Sequence, residues 1–271
     1  MTRFCDKDKH GYLIVFGTGR LLGKTDAKNT STQSIYGIWD WSAHWEKIGH
    51  SQFEKNPRDK YLGTFTRGVN GVRRLSHLAH LDYLNENLGT ATLLEQRLVH
   101  TDNEAHRVLS DKKPTWFSPK APAGPCHLGW YMDLPQRGEK MIQNTLIRNK
   151  NLMFITHIPA TSPCSDDSQS FFMEINACTG GRTRSIHLDV SGDHRINTFD
   201  RVMVDDPDSP GDRILVPVSG LRFEGSIYLP AIITLEKNAR ERNYFSTSRG
   251  EITSLDETAE KLGHYYWKEV Q

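Results

Sequence analysis

Residues 170–181, SFFMEINACTGG, combine a strand with the turn that ends it. The first seven residues are mainly aromatic and aliphatic, a composition that favours a buried strand. The Ala-Cys-Thr-Gly-Gly segment that follows is typical of a tight turn, because glycine adopts backbone angles that other residues avoid. The stretch therefore predicts a strand over residues 170–176 and a turn over residues 177–181.

Similar strand-like runs lie on both sides of this stretch. After residue 128 the sequence shows almost no helical periodicity. Before the stretch the runs cover residues 12–16, 34–40, 129–134, 141–147 and 152–158, and after it residues 182–188, 214–218, 227–234, 243–247, 251–255 and 265–270. Short strands divided by turn residues are typical of all-β proteins. We therefore predict an all-β fold.

The strands recur in a fixed order. One series runs through residues 154–157, 171–176 and 182–186, and a later one through 244–247, 251–256 and 265–269. An earlier series, 15–17, 36–40 and 129–134, is stretched by a long intervening block. Series of this kind are typical of four-stranded antiparallel propeller blades, of which a closed ring has about four to eight. The sequence predicts about three blades, and hence a partial, truncated β-propeller.

The intervening block, residues 41–127, differs in character from the rest. We interpret it as an insertion within the first blade, partly helical and with little core of its own. Leucines at helical spacing predict an amphipathic helix over roughly residues 72–88, and residues 93–99 predict a strand. The histidines of the block are scattered, and none forms a His-x-x-x-His pair with a carboxylate partner, so no zinc site is predicted.

Residues 189–200, DVSGDHRINTFD, have the spacing of an EF-hand-type calcium loop. Side-chain oxygens fall at loop positions 1, 3, 5, 9 and 12, and position 7 offers a backbone carbonyl. The predicted ligands of Ca²⁺ are Asp189, Ser191, Asp193, Arg195 through its carbonyl, Asn197 directly or through water, and Asp200.

Two positions of this loop depart from the usual pattern. His194 stands at position 6, where glycine normally allows a left-handed backbone, and that conformation costs a non-glycine residue roughly 1 kcal/mol or more. Asp200 is shorter than the usual closing glutamate, so it can close the shell through one oxygen. The alternative interpretation is a polar turn between strands that binds no metal.

The composition of the chain argues against several classes of function. The 271 residues carry a net charge of +1, so bulk electrostatics favour neither nucleic acid nor an anionic membrane as a partner. The sequence contains no apolar run long enough for a transmembrane helix, and residues 1–8 contain no apolar leader. Cys5, Cys126, Cys164 and Cys178 fit no metal-binding spacing. They either form disulfides in an oxidising compartment or stay as buried thiols.

The sequence does not favour an enzyme. It lacks the G-x-S-x-G, H-E-x-x-H and P-loop motifs of hydrolases and nucleotide-binding enzymes. The turn at residues 173–181 is similar to the blade turns of quinoproteins, which makes a quinone-dependent dehydrogenase the alternative function. About three blades do not enclose a cofactor on a propeller axis, and no adjacent cysteine pair is present.

Several stretches together resemble the PilY/PilC-like type IV pilus assembly and tip-adhesin family. They are residues 15–20 (VFGTGR), 32–40 (TQSIYGIWD), 129–135 (GWYMDLP), 138–140 (GEK), 158–164 (IPATSPC), the acidic loop, and 216–220 (VPVSG). They occur in the order of the family and cover most of the chain outside residues 41–92. The resemblance implies that residues 1–271 are the C-terminal part of the family's β-propeller domain.

The resemblance also implies a function and a location. It implies a calcium-binding interaction module that supports pilus assembly, twitching motility and surface attachment. The expected partners are minor pilins and the type IV pilus machinery, with host or abiotic surfaces as further ligands. The implied location is the pilus tip and cell surface, in the outer membrane or outside the cell, with a signal peptide in an N-terminal region missing from this chain.

Overall fold

The computed structural model describes residues 2–3, 5, 11–40, 64–67, 73–76, 92–116, 127–160, 162, 165, 167–206, 209, 211–235 and 240–259. These residues form strands and very little helix. One short helix, α1, covers Lys24–Lys28, and a 3-10 turn covers Thr198–Asp200. Within these ranges no helix has the length and hydrophobicity needed to cross a bilayer.

The strands are short, as the turn-rich sequence predicts. In chain order they are β1 Thr2–Arg3, β2 Tyr12–Gly17, β3 Ser34–Asp40, β4 Thr64–Arg67, β5 Arg73–Ser76, β6 Thr92–Gln96, β7 Leu98–Val99, β8 His106–Leu109, β9 His127–Asp133, β10 Leu146–Arg148, β11 Asn151–Ile158, β12 Gln169–Asn176, β13 Arg201–Asp205, β14 Arg213–Pro217, β15 Gly220–Glu224, β16 Ala231–Leu235, β17 Arg240–Ser246 and β18 Ile252–Thr258.

The strands form three main sheets and a hairpin. The first sheet has the order β1-β2-β3-β9-β6-β5-β4, the second β10-β11-β12-β15-β8-β7, and the third β16-β17-β18, while β13 and β14 form the hairpin. The named strand pairs are antiparallel except β6 with β9. The all-β prediction is confirmed, and these sheets, which form no closed ring among the described residues, agree with a partial propeller.

The prediction of one strand in the second blade is wrong. Residues 182–186 do not pair beside β12; that place belongs to β15, with Phe172 opposite Leu221. The predicted segment instead leads towards the third sheet, where Thr258 donates a backbone hydrogen bond to the carbonyl of His187. In the predicted third blade, the strands at 244–247 and 251–256 are confirmed in β17 and β18, and residues 265–269 lie outside the described part.

The block 41–127 contributes more to the fold than the sequence predicts. Residues 92–109 supply β6 to the first sheet and β7 and β8 to the second, and Leu93, Val108 and Leu109 are buried. These side chains pack into cores shared with the rest of the chain: Leu93 and Leu109 with residues of the first sheet, and Val108 with Val204 and Val216 of the hairpin. The strand predicted at 93–99 is confirmed as β6 and β7. The helix predicted over 72–88 is wrong at Arg73–Ser76, where β5 pairs with β4, and its remaining residues lie outside the described ranges.

The turn after β12 joins the first and second sheets. Trp130 of β9 is fully buried, and its indole nitrogen donates to the carbonyl of Ala177 at 3.0 Å. A β-carbon at Gly37 would lie 2.3 Å from this ring and one at Gly180 2.2 Å from it, while Gly180 also has a φ of +71°. Glycine is required at both positions, because any side chain there would overlap the indole. The turn predicted from residues 177–181 thus fixes how two sheets meet.

A disulfide reinforces the same turn. Cys5 is bonded to Cys178, with their Cα atoms 5.8 Å apart, and it ties the N-terminal residues to the end of β12. The sequence left the pairing open between four cysteines. Cys126 and Cys164 lie outside the described residues.

Candidate metal centre

The loop of residues 189–200 lies where the chain leaves the third sheet and enters the hairpin. Leu188 is buried and forms a β-bridge with Glu257, and the backbone nitrogen of Asp189 donates to the carbonyl of Asp256 at 2.9 Å. The loop ends in the 3-10 turn Thr198–Asp200, after which β13 begins. Its first residue is therefore fixed to β18, while its last leads directly into the hairpin.

The two terminal carboxylates hold the loop closed. Asp189 accepts hydrogen bonds from the backbone nitrogens of Gly192 and His194, at 2.7 and 2.8 Å, and from the Ser191 hydroxyl at 3.2 Å. Asp200 is fully buried and accepts from the backbone nitrogens of Val190, Ser191 and Asn197. Because buried carboxylates must be paired, these bonds explain why both acids tolerate burial.

The remaining predicted ligands lie on the exposed side of the loop. Asp193 accepts from the backbone nitrogen of Arg195 at 2.8 Å and from the Asn197 amide at 3.3 Å. Asn197 in turn accepts from the backbone nitrogen of Phe199, so Asn197 and Asp200 form a capping box around the 3-10 turn. The structure thus pairs Asp189 with Ser191 and Asp193 with Asn197, and turns Asp200 towards the loop backbone.

The backbone of the loop has the turn that an EF-hand-type loop needs at position 6. His194 has a φ of +60°, in the left-handed region, as expected from its place in the motif. Its nitrogen is one of the donors to Asp189, which offsets part of the cost of this conformation.

The donor set fits calcium by its chemistry. An ionised carboxylate has about four acceptor positions, and Asp189 and Asp200 each accept three hydrogen bonds, so each retains one. Asp193 accepts two hydrogen bonds, so its carboxylate retains two free acceptor positions. Hard oxygen ligands of this kind are those that Ca²⁺ prefers. Since Asp193 and Asn197 are not buried, their side chains have room to turn towards a bound ion.

The structure adds Asp256, which the sequence did not connect with the site, and brings the His194 ring close to it. Among the described residues, the ligand atoms of three side chains that could hold a metal ion lie mutually within 4.8 Å only at Asp189, His194 and Asp256. Asp193 and Asp200 do not belong to this group. Asp256 lies on β18, more than fifty residues after the loop, so no spacing in the sequence points to it.

Two arginines neutralise Asp256. Arg242 contacts its carboxylate at 2.5 Å and Arg240 at 3.1 Å, and the His194 ring lies 3.2 Å away. The hydrogen bond from Arg242, followed by those from Arg240 and His194, holds the pKa of Asp256 well below its usual range, against the opposing effect of burial. Arg240 also donates to the His194 carbonyl, so this cluster joins position 6 of the loop to the third sheet.

A second polar cluster lies between the second and third sheets. Glu174 of β12, Glu241 of β17 and Glu257 of β18 are all buried, and Arg148 contacts Glu241 at 2.5 Å and Glu257 at 3.4 Å. Burial, followed by the nearby charge of Glu257, raises the pKa of Glu174 to about 8, and burial raises that of Glu257 to about 7. The second oxygen of Glu174 has no hydrogen-bond partner among the described residues. This interface therefore holds at least one protonated carboxyl group at neutral pH.

Substituting Glu174→Gln is expected to raise Tm at pH 8 by several degrees and to leave it nearly unchanged at pH 5. The unfolded chain loses the Glu174 proton near its ordinary pKa of 4.5, while the folded chain keeps it up to about pH 8. The folded state therefore loses stability as pH rises through this window, and the uncharged amide removes that loss. Thermal melts across pH 5–8 check this, with Glu224→Gln on β15 as a control expected to follow the unsubstituted chain. If Tm depends on pH in the same way for Glu174→Gln and for the unsubstituted chain, the prediction is contradicted.

Comparisons with known proteins agree on one set of relatives. No family model matches the chain. The chain is 22% identical to the type IV pilus biogenesis factor PilY1 of Pseudomonas aeruginosa strains PAO1 and PAK over 269 residues, which are 97% of this chain and 20% of the relative. It is 23% identical to PilY1 of strain UCBPP-PA14 over 185 residues, 65% of this chain and 14% of that protein.

A solved structure has the same fold. The crystal structure of the P. aeruginosa PilY1 C-terminal domain matches 92% of this chain with a TM-score of 0.58 and 20% identity, and the match covers 42% of that domain. The chain thus spans about a fifth of the length of the curated relatives that it matches. Over nearly its whole length, the chain is a homologue of the C-terminal domain of the PilY1 type IV pilus biogenesis factors.

Proposed function

We propose that this chain is a calcium-binding part of a type IV pilus biogenesis factor and acts as an interaction module, not as an enzyme. The observation that carries the proposal is the match to PilY1 along 97% of the chain, which includes the loop of residues 189–200. The proposed partners are minor pilins and the other type IV pilus machinery, and host or abiotic surfaces where the pilus attaches. Through these contacts the module would support pilus assembly, twitching motility and attachment.

Calcium has a structural part in this proposal. Asp189, Ser191, Asp193, Asn197, Asp200 and the carbonyl of Arg195 would hold the ion, which would offset the mutual repulsion of three carboxylates. The loop is bonded at Asp189 and His194 to β18 and Arg240 of the third sheet. Calcium would therefore stabilise the contact between the loop and the third sheet, and with it the surface that partners bind.

The disulfide supports the proposed location. Disulfides persist in oxidising compartments and are rare in the cytosol. The Cys5–Cys178 bond therefore favours the cell surface, the pilus tip or the extracellular space. The quinone-dependent dehydrogenase gains no support, since the relatives found are pilus biogenesis factors.

Calcium is expected to raise the Tm of the unsubstituted chain by about 5 °C at a hundredfold excess over Kd, because the ion then adds about 2.7 kcal/mol of stability. The double variant Asp189→Ala/Asp193→Ala is expected to lose this response. Asp193→Ala alone serves as a milder second variant, because its side chain is exposed and bonds only within the loop. Differential scanning calorimetry with and without calcium measures both.

The control for charge removal is Glu104→Ala/Asp212→Ala, which takes away two exposed carboxylates outside the loop. It is expected to keep the full calcium response. An equal calcium response in the Asp189→Ala/Asp193→Ala variant and in the unsubstituted chain would overturn the assignment of the loop as the calcium site.

A further inference from the structure

A polar cleft of about 490 Å³ lies at one end of the second sheet. Its walls come from the turn between β10 and β11, the turn after β12, the segment that leads to the calcium loop, and the segment after β8. The volume falls within the range of about 300–1,000 Å³ that is usual for ligand sites. Nothing in the proposed calcium function uses this cleft.

The cleft is strongly basic in an almost neutral chain. Lys113, Lys150, Arg182 and Arg184 line it, and Asp111 is its one carboxylate among the described lining residues. The cleft therefore carries an excess of three positive charges, whereas the whole chain carries a net charge of +1. Asp111 contacts Arg184 at 3.5 Å, an exposed and weak pair that leaves the other three basic groups to face the cleft.

The backbone fixes the positions of two of the basic residues, Lys150 and Arg182. Asn149 and Lys150 form the two-residue turn of the β10–β11 hairpin, and both have positive φ, at +47° and +68°. These angles belong to the type I′ turn that matches the twist of a hairpin. Arg182, after the turn that ends β12, donates from its guanidinium to the Leu109 carbonyl at 3.2 Å and from its backbone nitrogen to the Ser110 carbonyl at 3.1 Å.

The rest of the lining selects the kind of anion. It consists of amide and hydroxyl side chains together with His187, whose pKa is lowered by burial. Amides and hydroxyls both donate and accept, which suits the alternating N–H and C=O groups of a peptide backbone. The described lining contains no Phe, Tyr or Trp ring on which a sugar or a base could stack, and the His187 side chain is only 18% exposed. An extended peptide that carries carboxylates satisfies both the charge and the hydrogen-bonding groups.

We propose that this cleft is a binding site for an acidic peptide segment of a partner protein. The inference deepens the proposed function, since an interaction module requires a partner, but it does not depend on calcium binding at residues 189–200. Lys113 and Lys150 provide the attraction at the rim, and Arg182 fixes the position of the bound carboxylates.

Fluorescence anisotropy with a labelled oligoglutamate peptide tests the site, with oligoglutamine of the same length as the neutral probe. The unsubstituted chain is expected to bind oligoglutamate, more weakly as salt rises, and not to bind oligoglutamine. The variant Lys113→Glu/Lys150→Glu, which reverses two exposed charges, is expected to bind at least about tenfold more weakly. Lys24→Glu/Lys28→Glu on α1 makes the same change of charge elsewhere and is expected to bind normally.

The outcomes separate this inference from the calcium proposal. Binding of oligoglutamate by the Asp189→Ala/Asp193→Ala variant with unchanged affinity supports a site independent of calcium. The inference is overturned if the unsubstituted chain does not bind the peptide, or if both lysine variants lose affinity equally. It is also overturned if an anionic polysaccharide such as heparin binds in the cleft and the peptide does not.

Discussion

Removal of the Cys5–Cys178 disulfide is expected to lower the free energy of unfolding by about 3–5 kcal/mol, a large fraction of the stability of a typical domain. The bond joins residues 173 apart in the sequence, and a crosslink over so long a segment strongly restricts the unfolded chain. Cys178 also lies in the turn that packs on Trp130, so its loss loosens the contact between the first and second sheets.

Denaturant melts of the Cys5→Ser/Cys178→Ser variant measure this loss. Added reductant provides a matched comparison, because it is expected to destabilise the unsubstituted chain but not the double variant. If reductant lowers the stability of both proteins equally, its effect arises elsewhere. If the double variant is as stable as the oxidised chain, the disulfide has no part in holding the fold.

Substituting Glu139→Gln is expected to cost about 3–5 kcal/mol, because it leaves a buried guanidinium without its counter-charge. Arg107 of β8 bonds both oxygens of Glu139, at 2.5 and 2.9 Å, and the two side chains are 6% and 0% exposed. The Thr156 hydroxyl also donates to Glu139, and the guanidinium lies over the Phe171 ring. The loss arises from one uncompensated charge in the core and not from a change of shape, since glutamine has almost the same size as glutamate.

Urea unfolding of three variants checks the cause of this effect. Glu95→Gln makes the same change in an exposed pair with Arg97 and is expected to cost less than about 1 kcal/mol. The double variant Arg107→Met/Glu139→Gln removes both charges of this buried pair and is expected to be more stable than Glu139→Gln alone. A double variant less stable than the single one would show that packing, not charge, explains the loss.

Local sequence signals predict β2, β3, β9, β11, β12, β17 and β18, but not β8, β13 and β15, and not the long-range partners of the strands. Residues 170–181 form the predicted strand and turn because apolar composition and glycine act within a few residues of the chain. The prediction of a strand at 182–186 is wrong because β12 pairs with β15. In the sequence, β15 follows both the loop of residues 189–200 and the β13–β14 hairpin. A strand that reaches its neighbour across an intervening hairpin leaves no periodic signal in the sequence. For the same reason the sequence pattern places residues 92–109 in an insertion, although they supply strands to two sheets.

In the candidate site too, local features are predictable from the sequence and long-range contacts are not. The left-handed backbone at His194 followed from its position in the motif, and the structure confirms it with a φ of +60°. The approach of Asp256 to the loop, and the choice of Cys5 as the partner of Cys178, depend on how separate sheets pack. Contacts of this kind join residues far apart in the chain, so neither spacing nor composition indicates them.

The most direct test of calcium binding at residues 189–200 is a crystal structure of this chain grown in millimolar calcium. We expect an ion with oxygens of Asp189, Ser191 and Asp193 at about 2.3–2.6 Å, together with the Arg195 carbonyl. Asp193 and Asn197 are expected to turn inwards relative to the hydrogen-bonded arrangement described above. A calcium-grown crystal in which the loop keeps its present hydrogen bonds and no ion lies within reach of Asp189 would contradict the proposal.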